Sequence, residues 1–153
     1  AASDVYKRQD VRRLSHELIP PRFDNTSLAE LIVSFCQSVT AENGTIVKPF
    51  ISTSFNAQNL PDGKAIEIYR IIQECVSNAI KYGYSKMISV TLDTCGKQGS
   101  ISIINDLSPL HPISQGKSGI GKDTLKMRAD ALQAELNIRN NGEEYLVELK
   151  FQL

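Results

Sequence analysis

Three polar side chains in the segment AIEIYRIIQECVSNAIKY, residues 65–82, have the types and spacing for cation and phosphate chemistry. Glu74, Asn78 and Lys81 fall at i, i+4 and i+7, so on a helix they project from one face, opposite the stripe Ile68, Ile72, Cys75 and Ala79. A carboxylate and an amide oxygen one turn apart suit a hard cation such as magnesium, which prefers oxygen donors and keeps its other positions for water and phosphates. A solvated polar face is the plainer alternative, since charged residues commonly line the exposed side of an amphipathic helix. Asn78 weighs against it, because asparagine is a mediocre helix former placed here in mid-helix.

Further along, the pair Asn105-Asp106 closes a short apolar alternation, and GKSGIGK, residues 116–122, runs into a helical pattern. Glycines there let backbone approach a ligand closely, and the free N–H groups and positive dipole end of a helix start favour a polyphosphate, with Lys117 and Lys122 beside it. A lone Gly-X-Gly before a helix is a weak signal. The order helix-Asn, strand-Asp, glycine loop-helix is much more specific. Of the two histidines, His111 lies in a polar loop and reads as solvated, with no role assigned. His16 sits in RRLSHELIPP, residues 12–21, where a histidine before prolines has the look of a phosphoacceptor.

These residues need a frame, and the periodicities supply one. Val11, Leu14, Leu18 and Ile19 are helically spaced up to Pro20-Pro21, which ends that helix. Ser27 and Glu30 form a capping-box pattern ahead of a helix of about 13 residues carrying Leu28, Leu31, Ile32, Phe35 and Val39. After the Asn43-Gly44 turn, TIVKPFIST reads as a strand that Pro49 confines to an edge or a bulge. The helix over 65–82 breaks at Gly83. Alternating Ile88, Val90 and Leu92, then Ile101 and Ile103, predict two antiparallel strands around the GKQGS turn. A helix from Gly119-Ile120-Gly121 turns Leu125, Ala129 and Leu132 inward, and two last strands, ELNIR and YLVELKFQL, meet at Asn141-Gly142. The expected fold class is α+β, a two-layer α/β sandwich with a mixed sheet and helices on one face, preceded by the end of a further helix.

Composition bounds the function. The 153 residues, 41% of them hydrophobic, suit one globular domain. Lys plus Arg and Asp plus Glu both total 17, and no basic tract points to nucleic acid. No apolar run reaches the ~18 residues of a membrane span, so direct membrane contact by this domain is not expected. Cys36, Cys75 and Cys95 are odd in number and widely spaced, which predicts reduced, buried thiols in a cytoplasmic setting. Residues 1–9, AASDVYKRQ, resemble a translated sequencing-adapter remnant and are expected to be non-native.

YRIIQECVSNAIKYG, residues 69–83, resembles the N-box of sensor histidine kinases. SGIGKDTLKMRADAL, residues 118–132, resembles their glycine-rich lid and following helix, in the Bergerat-type ATPase fold shared with gyrase and heat-shock chaperones. The resemblance covers roughly residues 25–153, with 10–24 as the end of a dimerisation and phosphotransfer helix and its junction. It implies ATP and Mg2+ as cofactors, Glu74 as base or water-orienting group, and Asn78 as magnesium ligand. Lys81 and Tyr82 would touch phosphates or sugar; Lys117, Gly119, Ile120 and Gly121 would meet the phosphates. The implied reaction is transfer of the ATP γ-phosphate to a histidine. Implied partners are a response regulator and a second copy of the chain, joined through upstream helices of a cytoplasmic or membrane-anchored parent.

Departures from the family pattern concern the adenine pocket. The usual Asp followed by glycines two and four residues later appears here as Asp106, then Leu107, Ser108, Pro109 and Leu110. Asn105 shares the phase of Ile101 and Ile103, whereas Asp106 points the other way unless the strand bulges. Asp106 is the expected adenine contact and Asn105 the alternative. Glu144-Tyr145 replaces a Gly-Thr, and Gln133-Ala134 a Gly-Gly. An anti-sigma-factor-like serine kinase and a pseudokinase binding module are the competing functions. For His16, the 62 positions before Asn78 are already filled by a helix, a strand and the N-box helix, leaving no room for a phosphoacceptor hairpin. "R-x-x-S-H-x-L-x-P" is similar to the hairpin end of the nitrate-sensor-like subclass, which places the phosphorylated histidine upstream of this chain.

Overall fold

A computed structural model of the chain describes residues 27–55, 60–111 and 120–153. The expectations for residues 1–24, His16 among them, and for Lys117 and Gly119 lie outside the described residues. Helix α1 (Leu28–Asn43) begins in the expected capping box: the Ser27 hydroxyl accepts the Glu30 N–H at 3.2 Å and the Glu30 carboxylate accepts the Ser27 N–H at 3.0 Å. It runs 16 residues, beyond the apolar stripe, because nothing stops it before the left-handed Gly44. Strand β1 (Ile46–Ile51) follows, then α2 (Asp62–Lys81). Helix α2 starts three residues before its apolar pattern does: the carbonyl of the N-cap residue Pro61 accepts the Lys64 and Ala65 N–H groups at 2.9 and 3.2 Å, and the first turn, Asp62-Gly63-Lys64, is polar in sequence.

Strands β2 (Met87–Cys95) and β3 (Gln98–Asp106) form a hairpin; α3 (Ile120–Ala131), β4 (Glu135–Asn140) and β5 (Glu144–Gln152) complete the fold. The five-stranded sheet has the order β1-β2-β3-β5-β4, with β1 parallel to β2 and the other neighbours antiparallel. Pro49 therefore lies on an edge strand, where its missing N–H costs no inner ladder bond. One sheet face carries Ile88, Val90, Leu92, Ile101, Ile103, Val147, Leu149 and Phe151, which form a single core with Leu28, Ile32, Ile68, Ile72, Leu125 and Leu132 from the helices. Each of these side chains contributes about 1.5–3 kcal/mol by burial. The architecture is the expected two-layer α+β sandwich.

Cys36 and Cys75 are buried as expected, but Cys95 is exposed. It ends β2 on the phase opposite Ile88, Val90 and Leu92, beside the turn at Gly96, so the pleat turns it outward. No helix among the described residues is long and apolar enough to cross a membrane.

Candidate functional site

Helix α2 carries the polar ladder. Glu74 and Asn78 are half-buried, Lys81 is exposed, and Tyr82 is the C-cap residue, its N–H donating to the Asn78 carbonyl at 2.9 Å. The Glu74 carboxylate meets α3: Arg128 Nε donates to it at 3.2 Å while Arg128 Nη1 reaches Glu67 at 3.3 Å. Glu67 and Glu74 lie two turns apart on α2, so a single guanidinium ties both to the neighbouring helix. Burial pushes the Glu74 carboxyl above its ordinary range, and the hydrogen bond and charge of Arg128 draw it part of the way back.

Past α2 the chain turns where only glycine fits, because a Cβ on Gly83 would stand 2.7 Å from the Ala79 carbonyl. The same Cβ position is 3.2 Å from Asn105 Nδ2, so this turn and the end of β3 are in close contact. Asn105 is 4% exposed. Its Nδ2 donates to the Ser85 hydroxyl at 2.9 Å and to the Asp106 carbonyl at 3.1 Å, and the Ser85 hydroxyl in turn donates to that carbonyl at 2.6 Å. Strand β3 pairs residue for residue with β5 from Gln98 to Asp106, so no bulge resets the phase. Asn105 thus shares the core-facing side with Ile101 and Ile103, and Asp106 takes the other side. The Asp106 carboxylate is already engaged: Oδ1 accepts the N–H groups of Lys86 and Met87, each at 2.9 Å. It caps the loop between α2 and β2.

The segment after β3 is tied to the same turn. The Ser108 N–H donates to the Gly83 carbonyl at 3.1 Å, and the His111 ring stacks on Tyr84 with centroids 3.9 Å apart and planes at 19°. Tyr84 has φ 48, in the left-handed region. On β5, Tyr145 stands opposite Asn105 and Glu144 opposite Asp106. Ile120 and Gly121 fall in the first turn of α3. The fold therefore brings together the end of α2, Asn105 and the 107–111 segment at one place, and Glu74 with α3 at another.

Arg128, Glu67, Ser85 and the Tyr84–His111 stack carry no mark in the sequence pattern. The two glutamates do share one α2 face, but the arginine that joins them is 54 positions beyond Glu74. Among the described residues no group of three or more His, Cys, Asp or Glu could hold a metal ion. Of the ladder residues Glu74, Asn78 and Lys81 on α2, Glu74 and Asn78 carry the oxygen donors.

This order of elements is found in known proteins. The structure resembles the histidine kinase domain of the blue-light activated kinase from Erythrobacter litoralis EL346, with TM-score 0.65 over 88% of this chain and 67% of that one, at 16% identity. Acinetobacter baumannii histidine kinase AdeS aligns with TM-score 0.65 over 99% of this chain and 82% of its own, at 12% identity. The chain has the fold of a histidine-kinase catalytic domain. The same fold appears in the histidine kinase domain of the E. coli osmosensor EnvZ, with TM-score 0.56, 13% identity, and coverage of 84% and 87%. In sequence the chain is 28% identical over 131 residues to the oxygen sensor histidine kinase NreB of Staphylococcus carnosus. That match takes in 84% of this chain and 37% of NreB, so the chain spans well under half of that relative's length. No family model matches the chain.

Proposed function

We propose that the chain is the ATP-binding catalytic domain of a sensor histidine kinase, which passes the γ-phosphate of ATP to a histidine upstream, on the dimerisation helices of the intact protein. An aspartate of a response-regulator partner would then receive it. The observation that carries this reading is the ladder Glu74, Asn78, Lys81 and Tyr82 on α2, bounded by α3 at Glu74 and by the buried Asn105 amide beyond Gly83. Such oxygen donors fit magnesium, and Asn78 is the residue that would hold it. When bound, magnesium neutralises charge on the phosphates.

The chain's own groups do the rest by positioning and electrostatics. Lys81 offers a cation to the phosphates, and Tyr82, 64% exposed, offers a ring to the sugar or base. Glu74 would hold one nitrogen of the incoming imidazole, leaving the other unprotonated for attack on phosphorus, and Arg128 favours the ionised carboxylate that this requires. Asn105 would take the adenine edge in place of an aspartate, while Asp106 keeps the turn in shape through Lys86 and Met87. Lys117, Gly119, Ile120 and Gly121 would meet the phosphates as α3 begins. Placement in the cytoplasm, under a parent that is soluble or membrane-anchored, completes the reading.

Calorimetric titration with ATP, with and without magnesium, tests it. Asn78→Ala should lose about ten-fold of the magnesium-dependent affinity, roughly 1.4 kcal/mol, and keep the magnesium-free affinity. Equal magnesium dependence in both proteins would refute the ligand assignment. A native chain that fails to bind millimolar MgATP would sink the kinase reading.

A further inference from the structure

We propose that the stacked Tyr84–His111 pair is the base-facing wall of the nucleotide site, the feature by which this chain prefers a nucleoside triphosphate over a bare polyphosphate. The inference rests on the nucleotide reading above and extends it to two residues outside the recognised motifs. Tyr84 adopts φ 48, a conformation that side-chain-bearing residues enter at a cost and that bulky residues rarely adopt. Burial does not explain why a tyrosine stays there, because it is 51% exposed. Its visible contact is the parallel His111 ring, 3.9 Å away. Strained residues of this kind cluster where a ligand is handled.

The position fits that role. Tyr84 follows Gly83, whose missing Cβ would stand 3.2 Å from the Asn105 amide nitrogen, and the His111 segment is anchored to the same glycine by Ser108. The amide that can read a base edge is thus in close contact with the glycine that immediately precedes Tyr84, whose ring is half exposed. Edge hydrogen bonds combined with aromatic stacking are how proteins hold single bases. Pro109 and the stacked His111 ring restrict the 107–111 segment that carries this wall.

The test is titration of the 153-residue chain and its variants with MgATP and with magnesium tripolyphosphate, alongside thermal unfolding. Tyr84→Gly should unfold at the native temperature or above, since its backbone strain is relieved, yet bind MgATP about ten-fold more weakly, the loss of one stacking contact. Its tripolyphosphate affinity should match the native value. Tyr84→Phe should bind MgATP as the native chain does. His111→Ala, which leaves the backbone of the 84 turn alone, should weaken MgATP but not tripolyphosphate and so serves should Tyr84→Gly fail to fold. Native MgATP affinity in both Tyr84→Gly and His111→Ala overturns the proposal, as does an equal loss for tripolyphosphate. A native chain that binds tripolyphosphate as tightly as ATP overturns it while leaving a phosphate site; a native chain that binds neither overturns the nucleotide reading itself.

Discussion

Replacing Arg128 with alanine strips one guanidinium from two carboxylates at once. The side chains concerned are 22% exposed for Arg128, 23% for Glu67 and 18% for Glu74, so water screens them only in part. Losing charged hydrogen bonds in such a setting costs about 1–3 kcal/mol. With a urea m-value of about 2 kcal/mol/M, the midpoint should fall by about 0.5–1.5 M near neutral pH. The sign with pH follows from Glu74, whose folded carboxyl is raised above its ordinary 4.5 by burial and lowered again by Arg128. A carboxyl raised by folding contributes stability that is full below its unfolded pKa and is lost as pH rises through its folded pKa. Without Arg128 the folded pKa climbs further, so the loss at neutral pH deepens, whereas a protonated Glu74 needs no cation. The difference between Arg128→Ala and the native chain should therefore be largest near pH 7.5 and shrink as pH falls toward 4.5. Urea unfolding followed by circular dichroism at both ends of that range is the assay. An equal midpoint loss at the two pH values, or none at either, would refute the account of the clamp.

The β3 terminus separates two adjacent residues. Asp106→Ala should free the Lys86 and Met87 N–H groups and cost about 1–2 kcal/mol of stability, while nucleotide affinity persists; Asn105→Ala should lose nucleotide affinity, which calorimetry on the folded variants measures. For the thiols, Cys95 should react with an aromatic disulfide reagent in the native chain, whereas Cys36 and Cys75 should react only on unfolding. Burial pushes the Cys36 thiol up to about 11 and Cys75 higher still. Rapid native labelling of all three, counted by mass spectrometry, would contradict the burial assigned to the two inner cysteines.

What could be read from the chain was local. The Ser27–Glu30 capping box, the alternation of β2 and β3, the edge placement of Pro49 and the α2 ladder depend on spacings of a few residues and reappear in the fold. The phase of Asn105 was legible for the same reason, since the pleat repeats every second residue. That alternation also fixes the outward Cys95, which a judgement from residue type alone sends inside. The polar first turn of α2 escaped because hydrophobic periodicity is silent where no apolar residue stands. Arg128 with Glu74, Ser85 with Asn105, and Tyr84 with His111 escaped because each joins elements 20 or more positions apart. No rule of spacing links such residues until the packed helices and sheet have brought them together.

The most direct test of the account is a nuclear magnetic resonance titration of the uniformly 15N-labelled chain with MgATP. The account predicts shifts concentrated at residues 74–84 of α2 and its turn, at Asn105 and residues 107–111, and at the start of α3, with β4 and α1 quiet. Shifts confined to other surfaces, or none at millimolar nucleotide, would contradict it.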